Sequence, residues 1–167
     1  LAMWSAYDRI ASISDDVSTA FTRKFPSLSD RLIRVDNIIS PDGIRKCATA
    51  KDVSGEMDGK IKLLSCGRFC EAKNFDSIPE IARYLVDLGN DIKWYIIGFG
   101  GGEELIRAKI GIHGMENRVI ILGKRADPYP YMNACDVYVQ PSRYEGKAVA
   151  VREAQILGKV KAVIREY

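Results

Sequence analysis

From about residue 61 onward, short β-rich apolar runs alternate with longer stretches whose apolar residues recur at helical spacing. Few folds accept that rhythm. The runs are Ile61–Ser65, Ile92–Ile97, Arg118–Leu122, Asp136–Gln140 and Val160–Ile164, each bounded by glycine or polar residues. Runs of this kind suit parallel strands covered on both faces. Between them Ile78, Ile81, Ala82, Leu85 and Leu88 recur at helical spacing, as do Leu105, Ile106 and Ile110. Gly89 and Gly114 stand where those helices should stop. The alternation predicts an α/β protein built on a doubly wound parallel sheet, with ligands beyond the carboxyl ends of the strands.

The first 48 residues read as an appendage to that unit. Arg9–Ile13 predicts a strand, and Ser14 caps a helix that carries Val17, Ala20, Phe21 and Phe25 on one side. Pro26 ends this helix. A second strand is expected at Leu32–Val35, then Ser40-Pro41-Asp42-Gly43 as a turn into a short helix. Residues 49–60 are polar, contain Gly55 and Gly59, and read as a linker loop, leaving 61–167 as the ligand-binding domain.

Composition removes several classes of function. The longest apolar run falls well short of the roughly 18 residues a membrane span needs, and the apolar start Leu1–Trp4 is too short for a signal peptide. A net charge of +3, with bases and acids interspersed, is no nucleic-acid footprint. The single histidine, His113, excludes a Ser-His-Asp triad or a multi-histidine metal site in practice. Cys47, Cys66, Cys70 and Cys135 fit neither a zinc knuckle nor a CxxC redox pair, so they are expected to be buried, reduced thiols of a cytoplasmic protein. Leu1 and Tyr167 are unusual ends, which suggests a piece of something longer.

Three segments could carry chemistry. Gly67-Arg68 through Lys73 follows the first strand of the repeating unit, where two cations beside a helix amino terminus suit a diphosphate. Taken alone, the segment could equally hold two solvated bases in a loop. Gly98-Phe99-Gly100-Gly101-Gly102 follows the second strand and resembles half of a dinucleotide fingerprint, a weak signal by itself. Glu103 and Glu104 just beyond would repel a pyrophosphate. That leaves either room for a base or ribose at Gly98 and Gly100, or a tight turn. The third segment runs from Pro141 through Glu145-Gly146-Lys147 to Glu153, with a helix expected to begin near Lys147. A wholly helical stretch from Glu145 to Glu153 would span about 12 Å at about 1.5 Å per residue. Two carboxylates so spaced can accept hydrogen bonds from a sugar at one end and a ribose at the other, with the helix terminus facing phosphates.

Together these residues resemble the retaining glycosyltransferases of the two-Rossmann-lobe (GT-B) architecture, the large group called family 4. The resemblance covers roughly residues 61–164 and reaches into the first 48. It is carried by Gly67-Arg68-…-Lys73, Ile96-Ile97-Gly98-Phe99-Gly100, Leu122-Gly123, and Pro141-Ser142-…-Glu145-Gly146 continuing to Glu153-Ala154 and Gly158. The Glu-x7-Glu pair is the specific element. The resemblance implies a Rossmann-like donor domain that forms the C-terminal half of a GT-B fold, incomplete at its C-terminus. Arg68 and Lys73 would bind the donor diphosphate, Glu145 the transferred sugar and Glu153 the ribose, with backbone at Gly146, Lys147, Ala148 and Val149 approaching the donor. Glu145, Arg68 and Lys73 would be the catalytic set. It further implies a nucleotide-diphosphate sugar as donor substrate, retention at the anomeric carbon, and no cofactor or metal. The acceptor would be a glycan or a lipid-linked acceptor in bacterial polysaccharide synthesis. The enzyme would then lie in the cytoplasm, peripherally at the inner membrane where the other lobe provides the contact. Lys147-Ala148 departs from the usual Phe-Gly, and Lys147 could add a phosphate or sugar contact.

Two other readings remain at this point. One is a non-catalytic nucleotide-binding Rossmann module. The other is a redox domain using Gly98–Gly102, against which no acid stands at the end of the next strand near Leu122-Gly123.

Overall fold

The computed structural model describes residues 2–145 and 147–163. The chain forms two units, Leu1–Ile39 with Glu145–Val149, and Ser40–Tyr144 with Ala150–Tyr167.

In the first unit a short helix α1 (Ala2–Ser5) precedes strand β1 (Ile10–Ser12), helix α2 (Asp15–Lys24) and strand β2 (Leu32–Arg34). The two strands pair in parallel, so α2 is the crossover of a βαβ unit. Ser14 caps α2 by accepting from the Val17 amide at 3.2 Å. Asp15 and Asp16 in its first turn, and Arg23 and Lys24 in its last, match the helix dipole. Trp4 meets Phe21 edge-on at 5.6 Å, and Phe21 meets Phe25 at 5.0 Å, which gives the unit its aromatic packing.

The second unit carries the large sheet. Strands β3 (Ile61–Arg68), β4 (Ile92–Phe99), β5 (Val119–Gly123), β6 (Val137–Gln140) and β7 (Val160–Val163) lie in the order β5-β4-β3-β6-β7, all parallel. Five strands thus stand where the apolar runs predicted them. β3 and β4 each run longer than expected, to Arg68 and Phe99, and Ile164 lies outside the described residues. The strand order reverses at β3, whose neighbours are β4 on one side and β6 on the other, so a topological switch point lies between β3 and β6.

Helices α4 (Ile78–Asp87) and α5 (Glu103–Ile112) pack together on the sheet, while α3 (Pro41–Ala48) packs on α6 (Tyr129–Ala134). The core between the sheet and α4/α5 contains Leu63, Trp94, Ile96, Ile78, Ala82, Ile106 and Ile110. Trp94 is buried with its polar atom satisfied: Nε1 donates to Ser65 Oγ at 3.0 Å, and Ser65 in turn donates to the Val139 carbonyl at 2.7 Å.

Three expectations change. Ser40 to Gly43 is no separate turn, since Ser40 is the N-cap of α3 and Pro41 its first residue, as the fixed φ of proline favours. Helix α3 and residues 49–60 belong with the sheet unit rather than with an appendage and a linker. Val53 and Met57 are buried, and Tyr95 donates to the Asp58 carbonyl at 2.7 Å, so apolar anchors and strand-borne hydrogen bonds hold the segment down. Helix α6 has six residues and two prolines at its start, too short for a periodic signal.

Candidate functional site

Arg68 is the last residue of β3, at the carboxyl edge of the sheet. Lys73 closes a 3-10 turn, Glu71–Lys73, and a second turn, Phe75–Ser77, separates it from α4. Arg68 therefore stands at the strand end and Lys73 on an irregular turn, and neither is at the amino terminus of α4. Asn74 adopts φ 55° between the two turns, a left-handed geometry asparagine tolerates. The aliphatic part of Lys73 folds back over the end of β3: a Cβ added at Gly67 would stand 3.5 Å from its Cδ and Cε.

A cavity of about 260 Å³ opens here. Cys66, Gly67 and Arg68 line it from β3, Ile97, Gly98 and Phe99 from β4, and Lys124, Arg125 and Pro128 from the β5–α6 turn. Three cations thus converge on one hollow beyond the strand ends. Among the described residues, the Arg68 guanidinium makes no ion pair or hydrogen bond, while its carbonyl accepts from the Cys70 amide at 3.0 Å. Lys124 rests over the Phe99 ring, 4.9 Å from its centroid. Arg125 is held by Tyr131 and Glu56. A larger cavity, about 300 Å³, lies beside Phe69, Phe75, Leu105 and Ile106, but Glu71 and Asp76 accompany its single cation, Arg143. Its charge disfavours a diphosphate, so size is the poorer guide.

Glu153 lies on α7 (Val149–Ile156), half-buried, and accepts from the Tyr129 hydroxyl at 2.9 Å. Burial first, and Glu153 second, push the Tyr129 hydroxyl up to about 12, so it remains a donor throughout the physiological range. The Glu153 charge also reaches Cys66: burial pushes that thiol up, with further contributions from Cys135 and Glu153. Tyr129, which holds Glu153, directly follows Pro128, a residue that lines the 260 Å³ cavity.

Below the switch point a buried polar chain fixes the exit of β6. Tyr138 donates to Gln140 Oε1 at 2.9 Å, and Gln140 Nε2 donates to Ser142 Oγ at 2.7 Å. Beyond it, Arg143 Nη1 donates to the Glu71 carbonyl at 3.2 Å, and the Tyr144 amide to that of Ala72 at 3.4 Å. The β6–α7 loop is thereby stitched to the turn carrying Lys73.

Glu145, Lys147, Ala148 and Val149 group with the N-terminal unit, and Gly146 lies outside the described residues. Within that unit Lys147 pairs with Asp36, whose carboxyl is held down first by Lys147 and then by Arg34. Helix α7 begins at Val149 rather than near Lys147, so the helical rise applies only from Val149 to Glu153. The unbroken helix from Glu145 on which the 12 Å span depended is therefore not formed.

Gly98 and Gly100 have a packing reason of their own. A Cβ at Gly98 would fall 1.9 Å from the Gly67 carbonyl oxygen, and one at Gly100, where φ is +144°, 2.7 Å from that of Phe69. The glycines let the chain leaving β3 cross the end of β4. Glu103 is drawn off by Arg107, at 2.7 Å. Cysteine burial is mixed: Cys66 and Cys135 are buried, Cys47 partly so, and Cys70 exposed. Lys124 and Arg125 carry no signal of their own in the sequence motifs, and Phe99 stands there only as part of the glycine turn. The first two directly follow β5 at the same sheet edge, so the rule that singled out Arg68 reaches them too.

Five parallel strands, reversing at β3 and paired with a cation-lined hollow at their carboxyl ends, define a Rossmann-like domain of the kind found in GT-B glycosyltransferases. The family profile described as "Glycosyl transferases group 1" matches residues 48–165, most of the chain, and the protein belongs to that family. Among curated relatives, the chain is 28% identical over 89 residues to the Staphylococcus aureus poly(ribitol-phosphate) alpha-N-acetylglucosaminyltransferase, covering 53% of this chain and 18% of that enzyme. It is 32% identical over 84 residues to the Campylobacter jejuni N-acetylgalactosamine-N,N'-diacetylbacillosaminyl-diphospho-undecaprenol 4-alpha-N-acetylgalactosaminyltransferase, covering 50% and 22%. The chain thus spans about a fifth of the length of each. A crystal structure of a single-residue mutant of S. aureus TarM in complex with fondaparinux, alpha-GlcNAc-glycerol and UDP superposes with a TM-score of 0.79 at 18% identity, over 95% of this chain and 30% of that one. No helix among the described residues is long and apolar enough to cross a membrane.

Proposed function

We propose that this chain holds the nucleoside-diphosphate part of a nucleotide-sugar donor, for a glycosyltransferase that builds a bacterial surface polymer with retention at the anomeric carbon. The convergence of Arg68, Lys124 and Arg125 on one hollow at the switch-point edge carries the reading. Family membership supports it, as do the glycan-transfer names of the relatives and the UDP bound to TarM.

The chemistry follows from where charge develops. As the bond to the anomeric carbon breaks, negative charge grows on the departing diphosphate. Fixed cations stabilise that charge more than they stabilise the ground state. Arg68 at the end of β3 can grip phosphate oxygens with two donors, and Lys73 acts as a point charge from the adjoining turn. Glu153, oriented by Tyr129, accepts from ribose hydroxyls. Glu145, five residues beyond β6, is the group assigned to the transferred sugar, and the acceptor is a glycan or a lipid-linked molecule. The domain works peripherally at the cytoplasmic face of the membrane.

Calorimetric titration with UDP, GDP, ADP and NAD tests the donor reading. One of the nucleoside diphosphates is expected to bind, and Arg68→Ala to weaken it by about tenfold, the loss of one charge-assisted contact. NAD binding as tightly as every diphosphate, with no effect of Arg68→Ala, would overturn it. Donor hydrolysis and transfer by the full-length protein then test retention.

A further inference from the structure

One carboxylate ties three segments together beside the cavity. Tyr131 on α6 donates to Glu56 Oε2 at 2.8 Å, and Arg125 donates Nε to the Tyr131 oxygen at 2.9 Å and Nη2 to the same Glu56 oxygen at 3.1 Å. Lys51 donates to Glu56 Oε1 at 2.5 Å. Lys51 and Arg125 also stand near the Tyr131 ring, 5.5 and 5.6 Å from its centroid. Tyr131 is buried, Glu56 and Arg125 are partly exposed, and Lys51 is exposed. A rigid ring fixed in the core is therefore the post, and Glu56 the link from it to the turn.

We propose that Glu56 is a positioning residue: with Tyr131 it clamps Arg125 and so fixes the β5–α6 turn that forms the cationic rim of the cavity. Arg125 spends two of its donors on this clamp, and its charge faces a carboxylate. What the rim presents to an anion is then Arg68, Lys124 and the remainder of Arg125. Residues 49–60, a polar linker by sequence, become part of the donor site at one remove. The consequence for ligand binding rests on the function proposed above; the clamp itself rests only on the hydrogen bonds.

Two measurements on the full chain decide the matter. In hydrogen exchange read by mass spectrometry, Glu56→Gln should speed exchange of the 123–128 segment while β3 and β4 keep their protection. In calorimetry with UDP, Glu56→Gln should raise Kd about tenfold, Glu56→Asp should recover part of the loss, and Glu56→Gln with Arg125→Ala should cost no more than either alone. Unchanged exchange at 123–128 in Glu56→Gln overturns the clamp. So does an unchanged or tighter Kd, or losses that simply add. Should the unmodified chain bind no nucleoside diphosphate, the donor reading fails, and the exchange result alone decides the clamp.

Discussion

Replacing Gly98 by alanine separates a glycine needed for packing from one needed for a ligand. The added Cβ would lie 1.9 Å from the carbonyl oxygen of Gly67 and 2.7 Å from Cε1 of Phe69. Gly67 and Gly98 are register partners in β3 and β4, so neither backbone can retreat without breaking the ladder. Overpacking of this kind costs about 1–3 kcal/mol, and a backbone clash belongs at or above the top of that range. Alanine would return at most about 1 kcal/mol by stiffening the unfolded chain. The clash wins, leaving a net loss of about 2 kcal/mol or more. With a urea m-value near 2 kcal/mol/M, the unfolding midpoint should fall by about 1 M. Gly101, three residues on, is the control: nothing lies within 4 Å of its added Cβ, so Gly101→Ala should leave the midpoint unchanged or slightly higher. Urea titration followed by tryptophan fluorescence reads both. If Gly98→Ala unfolds with Gly101→Ala yet loses UDP binding, the glycine serves the ligand and the packing account is wrong.

Three further outcomes are expected. Glu56, lowered to about 2 by hydrogen bonds from Lys51 first and Tyr131 next, contributes stability that is full above its unfolded value and is lost as pH falls from roughly 4.5 towards 2. Acid titration should show that loss in the unmodified chain and a flatter profile in Glu56→Gln across the same window. Tyr129→Phe removes the donor to Glu153 and should weaken UDP several-fold while leaving inorganic pyrophosphate unaffected; equal loss of both by calorimetry would detach Glu153 from the ribose. Ser14→Ala removes the α2 cap and should cost about 1 kcal/mol in the first unit, read by denaturant unfolding there.

The sequence by itself determined the sheet. Continuous β-branched and apolar runs with helical stretches between them leave parallel strands as the economical solution, and local signals such as Ser14 and Pro26 placed the ends of α2. It also placed Arg68 at a strand's carboxyl end, because strand direction and chain order fix which residues emerge there. It could not show that Lys124 and Arg125, more than fifty residues further along, share a cavity with Arg68, since that depends on β5 lying one strand beyond β4. Nor could it give Glu56 a role. Three hydrogen-bond donors reach that carboxylate from residues as far as 75 positions away, and no local pattern records such a meeting. The glycine turn shows the same limit from the other side: a glycine needed for a ligand and a glycine needed for a crossing chain look alike in one dimension. Only the tertiary structure put the Gly67 carbonyl 1.9 Å from where a Cβ at Gly98 would stand.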